Sequence, residues 1–179
     1  EGHPIVLART PRTPGSRKPH FMVYGHYDVQ PPEPFELWKS APFEPRLEGR
    51  SLFARGASDN KGQHLAHLNA VEAFLQTGTE LPCDLTFVIE GEEEVGSSHL
   101  TGFLKEHRAE LDVEAVVISD TGMPAVGMPA LTYALRGIMA LEVKVRGPSP
   151  GLHSGIGGGS LDNPAMALGQ LLAGLRDRH

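Results

Sequence analysis

Leu85–Ser97 reads LTFVIEGEEEVGS: an apolar run, Leu85 to Ile89, drives into Glu90 and then Glu92, Glu93 and Glu94. A short continuous apolar run bounded by turn-forming residues predicts a strand buried on both faces. Carboxylates gathered at the end of such a strand are costly to desolvate unless something cationic meets them. No Lys or Arg lies nearby in the sequence, so a metal ion is the first candidate. A solvated acidic turn is the alternative for this stretch taken alone.

Two further apolar runs end in the same way. Phe21–Tyr24 (FMVY) is followed by Gly25, His26, Tyr27 and Asp28, and Glu114–Ser119 (EAVVIS) is followed by Asp120. His26 and Asp28 are two positions apart, so in extended backbone they project to one side. A carboxylate there can support an imidazole that binds something through its other nitrogen. Asp59, in GASDNKG (Gly56–Gly62), immediately precedes a helical pattern; it reads either as the N-cap or as a ligand carried on the loop. In open α/β sheets, ligands collect beyond the carboxyl ends of the strands. His26, Asp59, the glutamates and Asp120 are all expected at that edge.

The rest of the chain supplies the scaffold. Pro4–Ala8 predicts a short strand, Arg9–His20 a basic, Pro-rich surface loop, and Val29–Pro45 an irregular loop packed down by Trp38. Arg50–Ala54 predicts another short strand. The helix over Gln63–Gln76 is expected to bury Leu65, Leu68, Val71 and Leu75. His64 and His67 lack a carboxylate at metal-site spacing and read as ordinary helix residues. Ser97 or Ser98 is expected to cap a helix reaching about Glu110, with His99 and His107 on its surface. Beyond the Gly/Pro-rich segment Gly122–Pro129 the pattern changes. Ile138–Arg146 alternates, with Leu141, Val143 and Val145 on one face, and predicts a half-exposed strand of a different sheet. Gly147–Ser160 reads as a flexible loop holding His153. Asn163 then caps a helix with Pro164 at its first position and Leu168, Leu171, Leu172 and Leu175 on its apolar face. The division expected is a domain over 1–135 and the start of a second over 136–179.

Composition narrows the function. The 179 residues are 40% hydrophobic and 21% charged, with a net charge of −6 and no basic stripe, which argues against nucleic acid. No apolar run approaches the ~18–20 residues of a membrane span. Cys83 is the only cysteine, so a cysteine metal site and an intrachain disulfide are excluded, and a reducing, cytoplasmic setting is expected. The chain does not start with Met and stops just after a helical pattern, so it reads as an internal piece of a longer protein.

Imidazole with hard oxygen donors suits zinc, manganese or cobalt. His26, Asp59, Glu94 and Asp120 contain three carboxylates, a count that fits two ions sharing one carboxylate better than a single ion. Two such ions about 3.5–4 Å apart hold a bridging hydroxide and polarise a carbonyl. Of the adjacent Glu93 and Glu94, one can then face the water as a proton shuttle and the other a metal. GPSPG (Gly147–Gly151) matches G-x-S-x-G formally, but the residue after the serine is Pro150, which has no N–H for an oxyanion hole. Gly157–Ser160 (GGGS) lacks the Lys of a P-loop.

Five segments in order, GHYDVQP (Gly25–Pro31), ARGASDNKG (Ala54–Gly62), EGEEEVGS (Glu90–Ser97), SDTG (Ser119–Gly122) and GLHSGIGGG (Gly151–Gly159), resemble the co-catalytic metallopeptidase family. That family includes carnosine dipeptidase, glutamate carboxypeptidase, acetylornithine deacetylase and succinyl-diaminopimelate desuccinylase. The long Pro/Trp loop resembles the dipeptidase branch. The resemblance implies an α/β catalytic domain with a central mixed, largely parallel sheet flanked by helices, and the beginning of an inserted α+β lid domain. It implies two divalent ions, zinc first, with His26 and Asp120 on one, Glu94 on the other and Asp59 bridging. It also implies that Asp28 clamps the His26 imidazole, that Glu93 is the general base, and that the Asp59–Asn60 peptide bond is cis. His153 would contact substrate, in dimeric relatives across a lid-mediated homodimer. The implied activity is hydrolysis of amide bonds in dipeptides or short peptides. The alternatives are a deacylase or desuccinylase acting on N-acyl amino acids, and a non-catalytic structural or dimerisation module. Relatives carry a last metal-binding histidine well after the lid helix, a position that His179 does not match.

Overall fold

A computed structural model describes residues 2–11, 15–147, 151 and 153–176. They fall into two compact units, Glu1–Ala130 and Leu131–His179. The first is built on a four-stranded sheet of β1 (Val6–Arg9), β2 (His20–His26), β5 (Asp84–Glu90) and β6 (Ala115–Ile118), once the hairpin β3 (Arg46–Glu48) and β4 (Ser51–Phe53) is set aside. The spatial order is β1-β5-β2-β6. β2 runs parallel to both β5 and β6, and β1 is antiparallel to β5, so the sheet is mixed and largely parallel. Helices α1 (Lys61–Gln76) and α2 (Leu100–Glu106) complete the unit.

The strands form where the apolar runs are, and their register follows. Met22, Val23, Phe87 and Val88 are the buried apolar core, contributed by the two central strands. Parallel strands need crossover connections; here α1 lies between β2 and β5 in the chain, and α2 between β5 and β6. Full pairing of β2 with β5 sets His26 opposite Glu90 at the carboxyl edge.

Helix α1 turns a different face inward from the one its leucines suggest. Leu65, Leu68 and Leu75 are exposed. His64 is buried, and His67, Ala70, Val71 and Phe74 line a small apolar cavity with Phe21, Val23, Phe87 and Val117 of the sheet. Positions 64, 67, 71 and 74 keep helical spacing as well as 65, 68, 71 and 75 do. The cap of α1 is Asn60 rather than Asp59, and it makes no side-chain cap bond. The predicted strand at Arg50–Ala54 is one half of the β3–β4 hairpin, which turns at Gly49. Helix α2 is shorter than expected, and His99 rather than Ser97 or Ser98 stands at its N-cap. Trp38 does hold down its loop: its Nε1–H donates to the Pro32 carbonyl at 2.7 Å and the Arg55 guanidinium lies 5.3 Å from its ring centre. Both Glu33–Pro34 and Asp59–Asn60 are cis peptide bonds, the second as the resemblance implied.

In the second unit the strand expected over Ile138–Arg146 is absent. A strand persists only where neighbours take up its N–H and C=O groups, and among the described residues of 131–179 there is no other strand. Leu141 and Val143 are exposed accordingly. Within Gly147–Ser160, read as a loop, Ser154–Gly157 forms a single helical turn, α3. Residues 148–150, the centre of GPSPG, and Leu152 lie outside the described residues. Helix α4 (Pro164–Gly174) starts as expected, with Asn163 Oδ1 accepting from the Ala165 N–H at 2.9 Å and Pro164 in the first turn.

Candidate metal centre

The carboxyl ends of β2, β5 and β6 and the loop before α1 bring six side chains to one place. His26 is the last residue of β2 and is wholly buried. Its Nδ1 hydrogen-bonds the Asp28 carbonyl oxygen at 3.1 Å and lies 3.2 Å from Asp28 Oδ1. Both neighbours are acceptors, so Nδ1 holds a proton, and Nε2 is the nitrogen turned toward the cluster, the one that would give a lone pair to an ion in place of a proton. Around Nε2 stand Asp59 Oδ1 at 3.1 Å, Asp120 Oδ2 at 3.2 Å and Glu93 Oε2 at 3.9 Å. Two trios have ligand atoms close enough to share one ion: His26, Glu93 and Asp120, and His26, Asp59 and Glu94. Nε2 has a single lone pair, so the trios cannot both be completed through His26. A second ion would rest on the carboxylates.

The glutamates sort themselves by environment. Glu90, wholly buried, accepts from the Tyr24 hydroxyl and from Ser97 Oγ. Burial, then the neighbouring Glu90, pushes the Tyr24 phenol well up, so Tyr24 stays a donor. Glu92 accepts from the His3 backbone N–H at 2.9 Å and pairs with His99 Nδ1 at 2.8 Å, a bond that holds its carboxyl below the usual range. Only Glu93 and Glu94 face the cluster. They ride on a one-turn helix, Glu93–Val95, closed by Gly96 at φ 97°, a left-handed conformation that glycine adopts without strain. Asp28 anchors that turn, its Oδ2 accepting from the Glu94 N–H at 2.9 Å, while Gln30 Nε2 donates to Glu94 Oε2 at 2.7 Å.

Charge balance points to a cation. Among the described residues no Lys or Arg pairs with Asp28, Asp59, Glu93, Glu94 or Asp120; His26 is the ion-pair partner of Asp28, Asp59, Glu93 and Asp120. Burial disfavours a proton on His26, yet the Asp28 carbonyl and the charges of Asp120, Glu93 and Asp28 outweigh it and lift the imidazole above its ordinary value. Burial likewise raises Glu93, opposed by His26 and reinforced by Asp120, Glu94 and Asp28. An imidazole amid carboxylate oxygens is the donor set of a zinc, manganese or cobalt site, and it fits a divalent ion.

Several supporting residues escaped the sequence reading. Asn60 Oδ1 accepts from the His26 N–H at 3.3 Å. His64 packs against Gly25, where a Cβ would fall 1.7 Å from the ring, and neither of its nitrogens finds a hydrogen-bond partner among the described residues. Burial keeps that imidazole below its usual value. His67 Nε2 hydrogen-bonds Ser119 Oγ at 2.8 Å. Gln30, Asn60 and Ser119 carried a signal, their places in GHYDVQP, ARGASDNKG and SDTG. His153 lies in the second unit, exposed, its Nδ1 accepting from the Gly155 N–H at 3.0 Å.

A mixed sheet with an acidic metal-competent cluster at its carboxyl edge is the frame of a metallohydrolase domain. Residues 22–155 match the model of Peptidase family M20/M25/M40, and the chain belongs to that family. It is 38% identical over 178 residues to the Cys-Gly metallodipeptidase DUG1 of Saccharomyces cerevisiae, covering 97% of this chain and 37% of the relative. It is 37% identical over 176 residues to the human Beta-Ala-His dipeptidase, covering 97% and 34%. Among solved structures it is similar to the di-peptidase Dug1p of Saccharomyces cerevisiae, with TM-score 0.73 and 35% identity over 98% of this chain and 37% of that one. Human carnosine dipeptidase 1 gives TM-score 0.66 and 34% identity over 98% and 37%. The chain thus spans little more than a third of the length of these relatives.

Proposed function

We propose that this chain carries the metal-binding and proton-transfer residues of a hydrolase that cleaves the amide bond of dipeptides or short peptides. The observation that carries the reading is the convergence of Asp28, Asp59, Glu93, Glu94 and Asp120 around the buried His26, none of them ion-paired to a Lys or Arg among the described residues. The relatives named as dipeptidases support the substrate class.

His26, Asp59, Glu94 and Asp120 would hold the metal, zinc by preference and two ions when the site is complete, with Asp59 shared. Divalent ions so held polarise a peptide carbonyl and make water a nucleophile at neutral pH. The chain's own residues do the rest. Asp28 fixes the tautomer of His26 and, through the Glu94 N–H, the placement of the acidic turn. Glu93, its side chain 39% exposed, is the cluster member free to take a proton from water and hand it to the departing amine. The lift in its proton affinity suits a base. We assign residues 136–179 to the start of a lid domain that would carry His153 to the substrate and mediate a homodimer. No helix among the described residues is long and apolar enough to cross a membrane. The free Cys83 supports a cytoplasmic setting.

Glu93→Gln tests the assignment. It should retain metal yet lose about 10²–10⁴-fold in dipeptide turnover, the size of a general-base contribution. Turnover at the wild-type level would remove Glu93 from that role. A parallel assay of dipeptides against N-acyl amino acids should favour the dipeptides.

A further inference from the structure

The inward face of α1 holds two histidines where apolar side chains would pack as well, and one of them, His67, bonds Ser119, the residue before Asp120 of the proposed metal centre. Ladder pairing of β6 with β2 ends at Ile118 opposite Tyr24. Ser119 and Asp120 therefore leave the sheet without a strand partner. Among the described residues the side-chain bonds that tether this exit are His67 to Ser119 Oγ at 2.8 Å and Asp120 itself to His26 at 3.2 Å. The second of these is a contact between proposed ligands, which an ion would replace. The first would remain.

His67 is also an anomaly in its surroundings. The cavity it lines, of about 210 Å³, is otherwise bounded by groups such as Phe21, Val23, Val71, Phe74 and Val117. A polar ring in that setting is tolerable when it finds a partner, and Ser119 is the partner it finds.

We propose that His67 is a positioning residue: by holding Ser119 it fixes the exit of β6 and so sets the reach of Asp120 toward the ion bound by His26. This rests on the metal reading given above. Groups that orient a ligand from behind are worth about 10–100-fold in metal affinity.

The test uses zinc itself, titrated into the whole chain in competition with a chromophoric chelator, with thermal unfolding of the metal-free chain as the control for folding. His67→Phe keeps a flat ring in the apolar setting and loses the hydrogen bond; His67→Gln keeps a group that can donate or accept and packs less well. Positioning requires that His67→Phe weaken zinc binding by about tenfold and that His67→Gln restore most of it. Ser119→Ala should match His67→Phe, and the double variant should be no weaker than either alone, because both cut one link. Overturning results are an unchanged affinity in His67→Phe and Ser119→Ala, a loss in Gln that exceeds the loss in Phe, or losses that multiply in the double variant. A wild-type chain that binds no zinc would overturn the metal reading and this proposal together, whereas zinc binding insensitive to His67 would overturn this proposal alone.

Discussion

Gly25 and His64 show how closely the scaffold is fitted beneath the metal-competent cluster. A methyl at position 25 would meet the His64 ring and the Asn60 amide, which itself accepts from the His26 N–H. Gly25→Ala should therefore destabilise the chain by about 1–3 kcal/mol, the usual cost of overpacking. His64→Ala should recover part of that loss in denaturant melts, a coupling that independent sites would not show. The same scale shows what a single sequence conceals. His26, Asp28, Asp59 and Asp120 were legible because each stands at the end of an apolar run or against a helix start. Glu90 and Glu92 look like Glu93 and Glu94 in one dimension. They differ because Tyr24, Ser97, His3 and His99, distant or unremarkable in sequence, satisfy the first pair and leave the second facing the cluster.

At the scale of elements, α1 is where pattern and packing part. Its leucines mark one stripe and its histidines, Val71 and Phe74 another, and periodicity does not choose between two stripes a residue apart. The sheet chooses, because the cavity beside Phe21, Val23 and Val117 receives positions 67, 70, 71 and 74. The consequence is measurable. Leu65→Gln, on the exposed stripe, should change unfolding free energy by no more than about 0.5 kcal/mol. Phe87→Ala, in the 4%-exposed heart of β5, should cost about 3–5 kcal/mol. The strands were legible for the opposite reason: short apolar runs buried on both faces have few other places to go. Ile138–Arg146 misled because alternation describes a strand's faces without supplying its partner.

For the whole molecule, electrostatics splits between the two ends of the sheet. At the amino end of β5, away from the cluster, Arg9 of β1 holds Glu110 at 2.5 Å, with His107 at 3.1 Å. The Arg9 bond, then that of His107, lowers the Glu110 carboxyl. A carboxylate depressed on folding lends stability above its unfolded value and loses it as pH falls through the folded one. Glu110→Gln should thus flatten the acid limb of a stability–pH curve by slightly lowering the neutral region, where the paired carboxylate contributes, while leaving the acid end little changed. At the carboxyl end the charge is unbalanced, and that imbalance is the centre of the account. Family membership and the mixed sheet make a metallopeptidase frame, and the cluster is its chemical content. The most direct test is the zinc retained by the chain after equilibrium dialysis, measured beside His26→Ala and Asp120→Ala. The account predicts zinc on the wild-type chain and its loss in both variants. A wild-type chain free of zinc, or variants that hold it equally well, would contradict it.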